Sequence, residues 1–79
     1  MWYSEFVKII FSDHAKKQRI ERKIPKKYIL ETVKNPQNKL ESFRNRQLLQ
    51  RKFSGKILEV VTFKEADITT VITQYYLED

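Results

Sequence analysis

Residues 46–63 read RQLLQRKFSGKILEVVTF, and this stretch decides the fold. Two runs rich in apolar residues, Arg46–Phe53 and Lys56–Phe63, flank the pair Ser54-Gly55, which contains the chain's only glycine. Glycine tolerates positive φ in a tight two-residue turn, so the stretch predicts a β-hairpin in which Phe53 pairs with Lys56. This register would place Arg51 opposite Leu58, and Leu49 opposite Val60.

The sequence after this hairpin predicts a second one. Residues 67–77 read DITTVITQYYL and are rich in β-branched and aromatic residues, which favour a strand. A loop of Lys64, Glu65, Ala66 and Asp67 would join this strand to the previous one and pair Phe63 with Ile68. A weaker extended segment, residues 40–44, precedes the first hairpin. The C-terminal half is therefore expected to form a four-stranded, largely antiparallel sheet.

This pairing assigns each side chain to one of two sheet faces, and a slip of one residue would exchange them. The face expected to pack against helices carries Leu48, Ile57, Val61, Phe63, Ile68 and Ile72. The other face is expected to carry Leu49, Leu58, Val60 and Val71, with Arg51, Thr73 and Tyr75 toward one end. An apolar floor beside a cation, a hydroxyl and a phenol suits phosphate and base binding. The alternative is a half-exposed sheet face or a dimer interface.

The N-terminal half predicts one strand and two helices. Residues 5–11 (EFVKIIF) favour a short strand, and Ser12 and Asp13 are good N-caps for a helix over residues 14–23. That helix has almost no apolar face, so it should lie at the periphery. Pro25 suits the start of a second helix, which carries Ile29, Leu30 and Val33 and ends before Asn35-Pro36.

Composition restricts the class of protein. The 79 residues suffice for a single domain, 1–79, and they contain no cysteine and one histidine, which argues against disulfide scaffolds, the common zinc sites and any metal cofactor. No run approaches the ~20 apolar residues of a membrane span, so we expect a cytoplasmic protein that does not bind a membrane. The net charge of +6 favours nucleic acid as partner, then an acidic protein, although a basic surface that only confers solubility is the simple alternative.

Three motifs resemble one bacterial family. They are HAKKQRIERKIP (residues 14–25), the hairpin LLQRKFSGKILEVVTF (48–63) and VITQYY (71–76), and they are similar to the family known as domain of unknown function 4258. Gln18 and Lys23 stand where many relatives carry Arg and Gly. Members resemble the small ribonuclease toxins of the RelE, barnase and colicin-ribonuclease group. The resemblance implies an α+β fold with a short N-terminal strand and two N-terminal helices packed on one face of a four-stranded, largely antiparallel sheet that binds RNA on the other.

The resemblance also implies a site for cleaving RNA without a metal ion. The catalytic positions would be His14, Arg22, Arg51 and Tyr75. Histidine exchanges protons near neutrality, arginines hold a phosphate as two-pronged donors, and a tyrosine stacks on a base or donates a hydrogen bond. The positions expected to bind nucleic acid are Lys16, Lys17, Arg19, Lys23, Lys52 and Thr73.

Each assignment has a structural alternative. His14 could be hydrogen-bonded locally near Ser12 and Asp13, and the two arginines could pair with Glu21 or Glu59, as surface ion pairs commonly do. The functional hypotheses are accordingly an RNA-cleaving toxin of a toxin–antitoxin pair, with RNA and an acidic antitoxin as partners, and a non-catalytic basic module that binds RNA or protein. A homodimer formed through an open sheet edge is a further alternative.

Overall fold

The computed structural model describes residues 8–77, which form five strands and two helices. In chain order these are β1 (Lys8–Phe11), α1 (Asp13–Glu21), α2 (Lys26–Lys34), β2 (Asn38–Glu41), β3 (Arg46–Phe53), β4 (Lys56–Glu65) and β5 (Ile68–Leu77). Residues 5–7 of the expected N-terminal strand lie outside the described part. Pro25 precedes α2 as its N-cap, and α2 ends at Lys34, directly before the predicted Asn35-Pro36 stop.

The sheet has five strands in the order β1-β5-β4-β3-β2, and it is mixed. β1 pairs in parallel with β5, with Ile9 beside Thr69 and Phe11 beside Val71, whereas the other pairs are antiparallel. The expectation of a four-stranded, largely antiparallel sheet with a separate N-terminal strand is therefore wrong. β1 is a short edge strand that pairs with β5. Directly after β1, the Ser12 amide continues this pairing by donating to the Val71 carbonyl at 3.0 Å.

The hairpin of β3 and β4 has the predicted register. Phe53 pairs with Lys56, and Leu49 pairs with Val60. Ser54 and Gly55 have φ angles of 51° and 84°, so both turn residues adopt the left-handed conformation that matches the twist of a two-residue hairpin. The local sequence alone was sufficient to fix this pairing.

The hairpin of β4 and β5 has a different register from the one expected. Its turn is only Ala66-Asp67, so Ile68 pairs with Glu65 rather than with Phe63. A β-bulge follows, since Thr62 pairs with Val71 whereas Val61 pairs with Thr73. The extra residue on β5 reverses the side-chain alternation of everything after it. Thr73 and Tyr75 consequently lie on the opposite face from Arg51.

Both helices pack on one face of the sheet, which we call the helix face. Its core is formed by Ala15, Ile24, Ile29, Leu58, Val60 and Val71, all at most 1% exposed. Burial of each large aliphatic side chain contributes about 1.5–3 kcal/mol to stability. The core therefore lies on the face that was expected to be free, and the expected roles of the two faces are reversed.

The other face, which we call the open face, has no described helix packed on it. The register places on its central strands the side chains of Leu48, Gln50, Lys52, Ile57, Glu59, Val61, Phe63, Thr73, Tyr75 and Leu77. Most of these are half-buried, Lys52 and Ile57 are exposed, and Glu59 alone is buried, at 7% exposed. A buried carboxylate in the middle of a sheet face without a covering helix is the feature on which the site depends.

Candidate functional site

The predicted site residues divide into three groups. Those on α1 and at its end are His14, Lys16, Lys17, Arg19, Arg22 and Lys23; those on β3 are Arg51 and Lys52; and those on β5 are Thr73 and Tyr75. Lys52, Thr73 and Tyr75 share the open face, whereas Arg51 lies on the helix face. The structure therefore does not bring Arg51 together with Tyr75, and the prediction that they share a face is wrong.

Arg51 makes contacts that fix the end of α2. Its Nη1 donates a hydrogen bond to the Asn35 carbonyl at 2.8 Å, and its Nη2 lies 3.6 Å from Glu31 Oε2. A cation beside the last carbonyls of a helix complements their partial negative charge. These contacts are sufficient to explain Arg51, so we assign it no part in the candidate site.

Glu59 forms the centre of the candidate site on the open face. Gln50 Nε2 donates a hydrogen bond to its Oε1 at 2.6 Å, and the Tyr75 hydroxyl donates to its Oε2. The three side chains come from adjacent strands, β3, β4 and β5, at directly paired positions. Buried carboxylates are costly unless hydrogen-bonded, so these two donors hold Glu59 in place and Glu59 in turn orients the phenol.

The electrostatics of the site keep Tyr75 protonated. The pKa of its hydroxyl is raised from 10.0 to about 12. Burial contributes most to this rise, the hydrogen bond to Glu59 and the charge of that carboxylate contribute the rest, and the positive charge of Arg22 opposes it. At neutral pH the phenol is therefore a hydrogen-bond donor and a weak acid, and it cannot serve as a base. The effect of Arg22 also places that guanidinium within electrostatic reach of Tyr75.

Arg22 lies at the edge of β5 beyond the point where β1 ends. Its Nη1 donates to the Gln74 carbonyl at 2.8 Å, and the side chain is exposed. This is the one hydrogen bond of that side chain to the described residues, so most of the guanidinium donors have no partner within 8–77 and could bind an anion. Because residues four apart stand above one another on a helix, His14, Gln18 and Arg22 form one row along α1, with His14 exposed.

Polar contacts add to the packing of the buried Ala15 in holding α1 against β5. Ser12 Oγ accepts from the Ala15 amide at 3.0 Å as the N-cap and donates to the Ile72 carbonyl at 3.1 Å. Gln74, which is fully buried, donates through Nε2 to the Ala15 carbonyl at 3.0 Å. Its Oε1 has no partner within the described residues. These bonds fix the position of α1 on β5, and with it the position of the row of His14 and Arg22 relative to Tyr75.

The remaining cations form a basic surface on α1 and just beyond its end. Lys16, Lys17 and Lys23 are exposed and Arg19 is half-buried. Among residues 8–77 the ion pair of Arg51 with Glu31 is the only one, so none of these four charges is neutralised by a carboxylate of the described part. Such a surface attracts anions over several ångströms.

Searches for two other kinds of site were negative within the described residues. No group of three or more His, Asp or Glu side chains in that part of the chain is placed to hold a metal ion. Of the helices between residues 8 and 77, none has the length and apolar character needed to cross a membrane.

Sequence reasoning missed Glu59 and Gln50. Glu59 was considered only as an ion-pair partner for an arginine. The available signal was a carboxylate within the apolar run ILEVV, residues 57–61, where a charge is unfavourable unless it is paired. Gln50 carries no comparable signal, because its partner is identified only by the strand register.

Comparison with known proteins gives one family match. The model of the family described as Domain of unknown function (DUF4258) matches residues 11–76. That range contains both helices and most of the sheet, with His14, Arg22, Glu59 and Tyr75. No curated protein and no solved structure gives a significant match to the chain.

Proposed function

Since the chain belongs to the family described as Domain of unknown function (DUF4258), whose name assigns no activity, we propose its function from its own site: metal-independent cleavage of RNA on the open face. The observation that carries the proposal is the buried Glu59 carboxylate, which accepts a hydrogen bond from Tyr75, while Arg22 donates to the carbonyl of the adjacent Gln74. A similarity to RelE, barnase and the colicin ribonucleases is part of the same hypothesis. It gives only secondary support to RNA cleavage, because a shared fold does not imply a shared function.

The proposed reaction is an internal transesterification. The 2′-oxygen of a ribose attacks the adjacent phosphorus, the bond from phosphorus to the 5′-oxygen breaks, and the products are a 2′,3′-cyclic phosphate and a 5′-hydroxyl. One group must accept the 2′-hydroxyl proton, another must supply a proton to the leaving oxygen, and cations must offset the charge that develops on phosphorus.

The proton-accepting and phosphate-binding roles have candidates among the residues of the site, which are His14, Arg22, Glu59 and Tyr75. Arg22 would bind the phosphate with its free donors, since a guanidinium matches phosphate geometry. His14, in the same row of α1, would exchange protons, because an imidazole does so near neutral pH. Tyr75 would stack on a base, because its one hydroxyl hydrogen is donated to Glu59. The leaving oxygen would take its proton from solvent water. Glu59 is a positioning residue that holds the phenol ring in place, and Arg51 has no role.

The basic surface of α1 supports the binding part of the proposal. The exposed Lys16 and Lys17 lie on α1 with His14, and Lys23 follows Arg22 just beyond the end of that helix. Because Arg22 reaches the edge of β5, an RNA strand bound along these residues would pass over that edge to Tyr75 on the open face. An acidic antitoxin would cover the same surface, which is how we extend the proposal to a toxin–antitoxin pair. A cytoplasmic location is part of the same proposal, because RNA is the substrate.

The test is cleavage of single-stranded RNA in a metal chelator. We expect His14→Ala to lower the rate by about 10²–10⁴-fold, as loss of a proton-transfer group does. Arg22→Ala should lower it about 10²-fold, as loss of one donor to a developing charge does. Arg44→Gln removes an exposed loop arginine as the matched control, and Arg51→Met keeps the side-chain stem; both should cleave at the wild-type rate once folding is verified.

The alternative is a non-catalytic module that binds RNA, and the same basic surface favours it. It predicts RNA binding that weakens steeply with salt, with no cyclic phosphate product at any pH. Cleavage that survives His14→Ala and Arg22→Ala would contradict the proposed site. Loss of cleavage on addition of chelator would contradict the metal-independent mechanism.

A further inference from the structure

The helix face carries a cavity of about 250 Å³ beside the end of α2. Its floor is formed by Leu49, which is 5% exposed, and by the side chains of Thr62 and Thr69. Val33 and Ile9 form apolar walls. The cavity is on the opposite side of the sheet from Tyr75 and Glu59, so the proposed cleavage site does not account for it.

Three lysines from three different elements converge on this cavity. They are Lys34 at the end of α2, Lys39 on β2 and Lys64 on β4, and all three are exposed. The lining contributed by residues 8–77 contains no carboxylate. Like charges on one cavity without a counter-charge repel one another, so binding an anion among these lysines would be favourable.

The shape and chemistry of the cavity restrict that anion. Leu49, Val33 and Ile9 offer apolar contact to a ring, and the lysines surround the charged group. The Thr69 hydroxyl and the Gln47 side chain offer hydrogen bonds to ring edges, whereas the fully buried Thr62 hydroxyl donates to the Gln47 carbonyl at 3.4 Å. Three cations favour a dianionic phosphate over a carboxylate with a single charge. We propose that this cavity binds a small organic phosphate of about the size of a nucleoside monophosphate, with its ring against Leu49 and its phosphate among the lysines.

The test is a titration of the ¹⁵N-labelled full chain with adenosine 5′-monophosphate, followed by amide chemical shifts. We expect the largest shifts at Thr62, Thr69 and Lys64. Adenosine and inorganic phosphate, titrated separately, should each bind at least about tenfold more weakly, because each lacks one half of the recognition.

Two surface variants identify the phosphate site, since neither should affect folding. Lys39→Ala and Lys64→Ala should each weaken binding about fivefold, as loss of one exposed charge contact does. Lys27→Ala removes a lysine of α2 outside the cavity, and it should bind as the wild type does.

Three outcomes would overturn the proposal. The first is the absence of chemical-shift changes in the lining residues up to about 10 mM nucleotide. The second is equal affinity for inorganic phosphate and nucleotide, and the third is a nucleotide affinity that is unchanged in both lysine variants. The same variants are also assayed for RNA cleavage. Lys39→Ala and Lys64→Ala should weaken nucleotide binding without changing the cleavage rate, so the two proposals can fail independently.

Discussion

Tyr75→Phe should change how the stability of the protein depends on alkaline pH. The pKa of this phenol is raised from 10.0 to about 12 by burial first and then by Glu59. Between these values the unfolded chain releases the phenolic proton while the folded protein retains it. Ionisation therefore favours unfolding, and the stability that the neutral phenol contributes is complete below pH 10 and is lost as pH rises toward 12.

The size of the effect follows from the shift. A difference of about two pKa units at ~1.36 kcal/mol each sets an upper limit of about 2.7 kcal/mol. Tyr75 is half-buried, so solvent screening should reduce the loss to about 1–1.5 kcal/mol. Burial also raises the pKa of Tyr76, but that contribution is present in both proteins and cancels in the comparison.

The assay is urea unfolding followed by circular dichroism at about pH 8 and about pH 11.5, on either side of the expected loss. At the lower pH the variant should be less stable by about 1–2 kcal/mol, because Glu59 loses a donor. At the higher pH the difference should nearly close. Tyr28→Phe, which removes a hydroxyl on the helix face, is the control and should follow the wild type. Parallel losses in wild type and Tyr75→Phe would refute the proposed link between Tyr75 and Glu59.

Three further predictions concern the fold. Ser12→Ala should lower the free energy of unfolding by about 1–2 kcal/mol, because it removes both the N-cap of α1 and a bond to β5, and Ser12→Asp should restore the part due to capping. Gly55→Ala should cost about 1–2 kcal/mol through its φ of 84° alone, since an added Cβ meets no atom within 4 Å, and Gly55→Asn should recover part of it in the same urea titration. Arg51→Met should speed amide hydrogen exchange at the end of α2 and cost about 1 kcal/mol, because the Asn35 carbonyl loses its donor; unchanged exchange there would contradict the structural role of Arg51.

The parts of the fold that were predicted correctly are those with local signals. The Ser54-Gly55 turn fixed the pairing of β3 with β4, and the Asn35-Pro36 pair marked the end of α2. The parallel pairing of β1 with β5 was not predicted, because neither the short β1 nor the longer β5 carries a local signal that identifies its distant partner. The strand count in the expected fold was wrong for that reason.

The two faces were exchanged because both are apolar. Leu48 and Val61 on one side compare closely with Leu49 and Val60 on the other, so hydrophobic pattern could not select the core. The β-bulge then moved Tyr75 to the side opposite Arg51. No residue type in that strand signals the bulge.

The candidate site was consequently predicted in part. Arg22 and Tyr75 were named from sequence, and the charge of one acts on the other in the structure. Arg51 was included because the expected pairing of β4 with β5 placed it on the same face as Tyr75. The β-bulge shows that this pairing is wrong. Glu59 was missed, because its importance depends on burial and on the two donors that only the sheet brings to it.

The central claim is that RNA binds on the open face. The most direct measurement is a chemical-shift titration of the ¹⁵N-labelled protein with a short RNA whose 2′-hydroxyls are methylated to prevent cleavage. We predict that the largest shifts occur at Gln50, Glu59, Thr73 and Tyr75, with smaller ones along α1 at His14 and Arg22. Shifts confined to the helix face, around Arg51 and the end of α2, would contradict the claim.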